Sequence, residues 1–137
     1  MEVIANTNRI IAALVKDGIS RRIILSGKFT MRTPDFGIKE VSKYRTAIMK
    51  KAGLTDWQFD EVMAKLMSKI EVVDETGIPP KIFREAAKIM DSIDENDTPF
   101  IALSLSLGKA PIWTDDNHFK AQNSVKIFAT KELAGML

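Results

Sequence analysis

Short apolar runs, too brief to be helices, recur along this chain between longer stretches with helical periodicity, and that alternation leaves few folds open. Val3-Ile4-Ala5 stops at Asn6-Thr7-Asn8 and gives way to Ile10, Ile11, Leu14 and Val15 at helical spacing. Asp17-Gly18 ends that helix, with Gly18 suited to the left-handed conformation that follows a helix, and Ser20 caps a short second helix carrying Ile23, Ile24 and Leu25. Lys28 to Arg32, bounded by Gly27 and Thr33-Pro34, reads as a second strand. Thr33 is the expected N-cap of one helix running with proline in its first turn up to Gly53. Thr55 caps the next helix, which pairs with the preceding one as a hairpin. Ile70 to Val73 is a third strand, Lys81 to Asp91 a helix, and the acidic stretch from Asp91 to Asp97 a turn. Thr98 to Leu105, ended by Gly108, is apolar enough for a core helix. Pro111-Ile112-Trp113 and Val125 to Phe128 supply two more strands, and Lys131 to Leu137 a last helix. Strands separated by helices predict an α/β fold: a central parallel sheet of about five strands between two helical layers, as one domain over residues 1–137.

Composition narrows the classes of function. The chain has no cysteine, which excludes disulfide scaffolds, thiolate metal sites and thiol nucleophiles and accords with a reducing, cytoplasmic setting. No stretch approaches the roughly 18 apolar residues of a membrane helix, so no membrane partner is expected. A net charge of +2 is too small to announce nucleic-acid binding. Basic residues nevertheless gather in two groups: Arg9, Lys16, Arg21, Arg22, Lys28 and Arg32, then Lys39, Lys43, Arg45, Lys50 and Lys51. Each reads as a solvated face or as a surface that steers phosphates.

Ligands of an open parallel sheet bind beyond the carboxyl ends of its strands, where loops converge and helix N-termini point. Asn6-Thr7-Asn8 follows the first strand, Asp115-Asp116 follows the fourth, and Asp97 opens the helix before it. Glu40, about two turns into the helix after the second strand, faces the same edge. Carboxylates gathered there repel one another unless a cation lies between them. Oxygen donors, with His118 as the single imidazole, select Mg²⁺ or Mn²⁺ over zinc, and such ions suit phosphodiester hydrolysis.

With these residues in place, the chain resembles PIN-domain ribonucleases over nearly its whole length. The likeness rests on Val3-Ile4-Ala5-Asn6-Thr7-Asn8, an acid on the helix after Thr33-Pro34, Asn96-Asp97-Thr98-Pro99-Phe100-Ile101-Ala102-Leu103, and Trp113-Thr114-Asp115-Asp116-Asn117-His118-Phe119. It implies metal binding by Glu40, Asp97 and Asp116, with Asp115 an additional carboxylate. Asp116 is preferred because the family's acid usually stands three residues before the phenylalanine. Thr114 would position water or the first loop, and Thr7 and Asn8 would shape that loop. The implied activity is that of a metal-dependent endoribonuclease acting on RNA, commonly the toxin of a VapBC-type pair, a homodimer held by its antitoxin. The departure is Asn6, where the pattern carries aspartate. An amide keeps one oxygen ligand and loses the charge, so metal affinity and water activation should both fall. With the other acids intact, the change reads first as an engineered inactivation and second as a natural change, and the sequence does not decide between them.

Each residue also has a plainer reading. Asp97 alone is a helix N-cap, Glu40 a surface glutamate, and Asp115-Asp116 a turn pair. His118 reads as a turn histidine, and Glu2, Asp35 and Asp94 as surface charges. Trp57, Phe59, Met63 and Met67 read as packing of the helix hairpin. Two other functions compete: a catalytically degenerate PIN-like module that binds RNA or a protein partner, and, last, a phosphoryl-accepting receiver, for which no suitably placed lysine is present.

Overall fold

A computed structural model of the chain describes residues 1–90 and 92–137; the expected helix end and turn start at Asp91 lie outside the described residues. Five strands, β1 (Glu2–Ala5), β2 (Thr30–Pro34), β3 (Ile70–Val73), β4 (Ile112–Trp113) and β5 (Ile127–Phe128), form one sheet in the order β3-β2-β1-β4-β5, every pair parallel. Parallel neighbours need crossovers, and the helices provide them. α1 (Thr7–Val15) and α2 (Ile19–Leu25) join β1 to β2. α3 (Asp35–Lys43), α4 (Arg45–Ala52) and α5 (Asp56–Met67) join β2 to β3. α6 (Pro80–Met90) and α7 (Thr98–Ser106) join β3 to β4, and α8 (Thr130–Ala134) ends the chain.

Alternation along the strands splits the core in two, because successive side chains leave opposite faces. Val3, Ala5, Met31, Trp113 and Phe128 pack with Ile10, Leu14, Ile24, Ile48, Phe59, Leu66 and Leu133 from α1, α2, α4, α5 and α8. Ile4 and Ile112 face the other way, toward Ala86 and Met90 of α6 and Phe100 to Leu103 of α7. The result is a three-layer α/β/α sandwich. Strands are added outward from β1 to β3 on one side and from β4 to β5 on the other, so the strand order switches between β1 and β4 and a crevice opens at their carboxyl ends.

Several expected boundaries move, each for a physical reason. β2 runs to Pro34, because it lies between β1 and β3 and pairs through Pro34 with Val73. Thr33 is therefore a fully buried strand residue whose hydroxyl donates to the Ala5 carbonyl at 3.0 Å, and Pro34 takes the N-cap of α3. The single helix expected up to Gly53 is two, broken at Tyr44 with φ −98° and ψ 11°. Gly18 is extended, not left-handed, and caps α2 in place of Ser20, which is buried inside that helix. Gly53 is left-handed at φ 68° and ends α4. Thr55 and Gln58 close a reciprocal capping box on α5. Phe59 is buried, but Trp57 is 72% exposed, so it takes no part in hairpin packing.

Candidate functional site

The crevice at the sheet edge is a cleft of about 240 Å³ lined by Asn6, Thr7, Asn8, Ile11, Glu40, Tyr44, Asp94, Asn96, Asp97 and Asp116. Four separated stretches of sequence thus meet in one place. β1 delivers Asn6, which is 4% exposed and caps α1, its side-chain oxygen accepting from the Asn8 N–H at 3.4 Å. α3 delivers Glu40, whose Oε1 accepts the Thr7 hydroxyl at 2.7 Å. Glu40 is thereby tied to the first residue of α1, where a turn was expected over Asn6-Thr7-Asn8, and is no free surface glutamate. β4 runs into Thr114, fully buried, whose hydroxyl accepts the Asp116 N–H at 3.1 Å and so fixes the turn that turns Asp116 into the cleft. Asp116 Oδ1 then accepts the His118 N–H at 2.9 Å, capping a 3-10 turn over Asn117–Ala121.

Asp97 stands apart from these. It occupies the N-cap position of α7, as a helix-capping aspartate would, yet its side chain makes no capping hydrogen bond. The residue is 8% exposed and its Oδ2 is buried without a hydrogen-bond partner. Burial pushes its carboxyl up to about 7, helped by the negative charges of Asp94 and Asp116 and, more weakly, Glu40, against the opposing pull of His118. A carboxylate held this way is unsatisfied until a proton or a cation arrives. The donors around it are oxygens, which fits a hard divalent ion.

Asp115 goes elsewhere. Its Oδ1 accepts the Thr130 N–H at 2.8 Å, and its Oδ2 accepts the Thr130 hydroxyl at 2.7 Å and pairs with Arg9 at 2.8 Å. Burial works to raise its pKa, but Thr130 and Arg9 outweigh it and hold the carboxyl below its ordinary value. Both oxygens are spent joining α1 to the start of α8, so Asp115 does not join the cluster as an additional ligand. Two residues that sequence reasoning set aside do join it. Asp94, read as a surface charge, lines the cleft, and His118, read as a turn residue, brings its Nδ1 to 3.4 Å from Asp94 Oδ2. The sequence signal for Asp94 was its place three residues before Asp97, just after the apolar Ile93 and at the head of the polar run Asp94-Glu95-Asn96-Asp97.

Five of the eleven basic residues in the two groups, four of them arginines, are committed to local partners. Arg9 pairs with Asp115, Arg32 with Glu2 and Glu71, Lys39 with Asp35, and Arg45 with Asp56 and Asp60. Arg21 donates to the carbonyls of Ala13 and Leu14 near the end of α1. Lys43 lies beside the cleft with its ammonium 5.6 Å from the Tyr44 ring centre, and Lys16 and Lys51 flank an adjoining apolar groove over Ile11 and Val15.

Comparison with known proteins agrees with this architecture. The sequence profile of the PIN domain matches residues 4–134. No curated protein matches the sequence. Among solved structures, the fold is similar to the crystal structure of VapBC2 from Rickettsia felis bound to a DNA fragment from their promoter. The TM-score is 0.71 at 17% identity, over 94% of this chain and 98% of that one. Among the described residues, no helix is long and apolar enough to cross a membrane.

Proposed function

Because the chain belongs to the PIN-domain family, we propose that it is a divalent-metal-dependent endoribonuclease hydrolysing RNA phosphodiester bonds, impaired as written by Asn6. The observation that carries the reading is the orphaned Asp97 Oδ2 in a cleft shared with Glu40 and Asp116. Mg²⁺ or Mn²⁺ bound there would neutralise these acids, engage a phosphate oxygen and make water a better nucleophile. Asp97 and Asp116 supply the facing carboxylates. Glu40 presents its carboxylate under the control of Thr7, Thr114 holds Asp116 in place, and Asn6 contributes an uncharged carbonyl oxygen held by the Asn8 N–H at the start of α1. Asn6 alone among these weakens the cluster, since it supplies an oxygen without the charge that binds a dication.

Restoring Asn6→Asp is expected to give Mg²⁺- or Mn²⁺-dependent cleavage of RNA and to tighten metal binding by about ten- to a hundredfold. Asp97→Ala or Asp116→Ala in that background should abolish cleavage. Failure of the restored protein to cut any RNA presented with either ion would count against the enzyme. A second reading has one observation in its favour: the Asn6 side chain performs a helix cap that asparagine does as well as aspartate, with no need of metal. In that case the chain is a degenerate module that binds RNA or a protein partner, and its affinity would be unchanged by Asp97→Asn.

The likeness to VapBC2 supports a toxin role in a toxin–antitoxin pair, with an antitoxin protein as partner; a homodimer as the assembled form is proposed from the family resemblance alone. The apolar groove over Ile11 and Val15, next to the cleft, offers such a partner a surface from which to block the site. Sedimentation at twice the chain mass would support the dimer, and a monomer at every concentration would oppose it.

A further inference from the structure

Asp94 and His118 lie outside the four acidic positions of the family pattern, yet they meet at the rim of the same cleft. His118 Nδ1 stands 3.4 Å from Asp94 Oδ2, 3.6 Å from Asp116 Oδ1 and 3.9 Å from Asp97 Oδ2. These separations exceed good N–H···O bonds, which run to ~3.2 Å. The Asp94 separation is close to the ~3.3 Å between two ligands that each lie ~2.0–2.1 Å from one tetrahedral dication, and the Asp97 separation is longer. One donor atom from each of Asp94, Asp97 and His118 lies within 4.8 Å of the others. The Asn96 N–H donates to Asp94 Oδ1 at 3.0 Å, leaving Oδ2 to face the imidazole.

Asp97 Oδ2 is the separate observation that points to a ligand. It is buried, lacks any hydrogen-bond partner, belongs to a residue 8% exposed, and faces this group. A buried carboxylate oxygen left without a partner costs free energy that only an occupant of the space before it removes.

We propose that Asp94, Asp97 and His118 form a second cation position that shares Asp97 with the acid cluster and prefers a dication that accepts nitrogen, such as Zn²⁺ or Co²⁺. The imidazole sets that preference, since Mg²⁺ is satisfied by oxygen and water whereas zinc and cobalt bind histidine. Position and charge agree with it. Asn6 brings no charge to the cleft whereas Asp94 adds one beside Asp97, and Glu40 is bound to Thr7. The proposal rests on the reading of the cleft as a metal centre only through Asp97, and requires neither an acid at position 6 nor cleavage of RNA.

His118 is the only histidine in the chain, so its two ring C–H proton signals report this position directly. The parent protein, free of RNA, is titrated with Zn²⁺ and separately with Mg²⁺ at neutral pH, by proton NMR and by calorimetry. Zn²⁺ is expected to shift the ring signals at stoichiometric amounts. His118→Gln and Asp94→Asn should each weaken Zn²⁺ binding by about tenfold or more, His118→Gln leaving Mg²⁺ affinity within about threefold. Both side chains are partly exposed, so neither change threatens the fold. Glu40→Gln should leave the Zn²⁺ response of the ring intact; its loss there would overturn the placement. Ring signals unmoved by millimolar Zn²⁺, or equal Zn²⁺ affinity in His118→Gln and parent, would overturn the proposal and make the imidazole a counter-charge alone. Failure of the nuclease reading looks different: Asn6→Asp protein that cuts no RNA while His118 still responds to Zn²⁺.

Discussion

Asp97 is costly to the protein that holds no cation, and the cost has a definite pH signature. Its carboxyl is pushed from 3.8 to about 7, first by burial and then by Asp94 and Asp116. An acid that holds its proton more tightly when folded contributes full stability below 3.8, and that contribution is lost as pH rises toward 7. At ~1.4 kcal/mol per pH unit the loss is at most ~4 kcal/mol. Metal-free parent protein should therefore lose stability between these values relative to Asp97→Asn, measured by urea unfolding at a series of pH values, and added Mn²⁺ should restore the parent alone. A parent that tracks Asp97→Asn at every pH would refute this account of the carboxyl. Its neighbours in sequence provide a contrast. Asp115→Asn should cost about 1 kcal/mol, modest because the carboxylate is 40% exposed, with metal affinity within about threefold of the parent. That stability is present above the ordinary aspartate pKa and fades as pH falls through the lowered one. Asp116→Asn should do the reverse, sparing stability and losing metal. Sequence adjacency could not separate the two, because successive residues point opposite ways and the partners Arg9 and Thr130 are remote in the chain. Asp94 was hidden for a related reason: beside Glu95, Asn96 and Asp97 it looks like one more solvated charge of a turn, and only the fold shows which carboxylates turn inward.

At the scale of elements, the reach of Glu40 depends on how closely α3 approaches the sheet. A Cβ at Gly37 would stand 2.8 Å from Thr33 Oγ1, 3.4 Å from Thr7 Oγ1 and 3.5 Å from the Phe100 ring. Thr33 is buried and bound to Ala5, so it has nowhere to go. Gly37→Ala should cost about 1–3 kcal/mol through overpacking, despite the gain in helix propensity. By lifting α3 it should also weaken the Thr7–Glu40 bond and Mn²⁺ affinity; unfolding and titration of the variant check both, and unchanged metal affinity would mean that Glu40 does not depend on this contact. The elements themselves were mostly legible. Apolar runs a few residues long marked β1, β3, β4 and β5, and helical spacing marked α1 and α5, because burial on one face leaves a period in the sequence; α7, buried all round, was marked by Thr98-Pro99 at its start and Gly108 after its end. The break at Tyr44 left none, since no proline or glycine stands there and the chain turns to pack α4 against α1. The end of β2 was misplaced because proline usually stops a strand; here Pro34 ends it while still in register with Val73.

For the molecule as a whole, the charge pattern limits how RNA is attracted. With most arginines paired to carboxylates or helix carbonyls, about three lysines near the cleft remain to meet phosphates, Lys16, Lys43 and Lys51. The logarithm of RNA affinity should fall with the logarithm of salt at a slope of about −2, measured by anisotropy with Asp97→Asn protein, and a slope beyond about −5 would mean a far larger basic surface. The two cores also differ in what they anchor. In α7, Phe100 to Ser104 are all buried, between the sheet and α6, and Asp97 is joined to its first turn. Amides of a helix so enclosed exchange with deuterium only when the entire chain opens, whereas those of the Asp94–Asn96 turn exchange through local fraying. The acid on which the site turns is therefore fastened to the slowest-exchanging part of the molecule, and its geometry persists under heat or denaturant until the last cooperative unit comes apart.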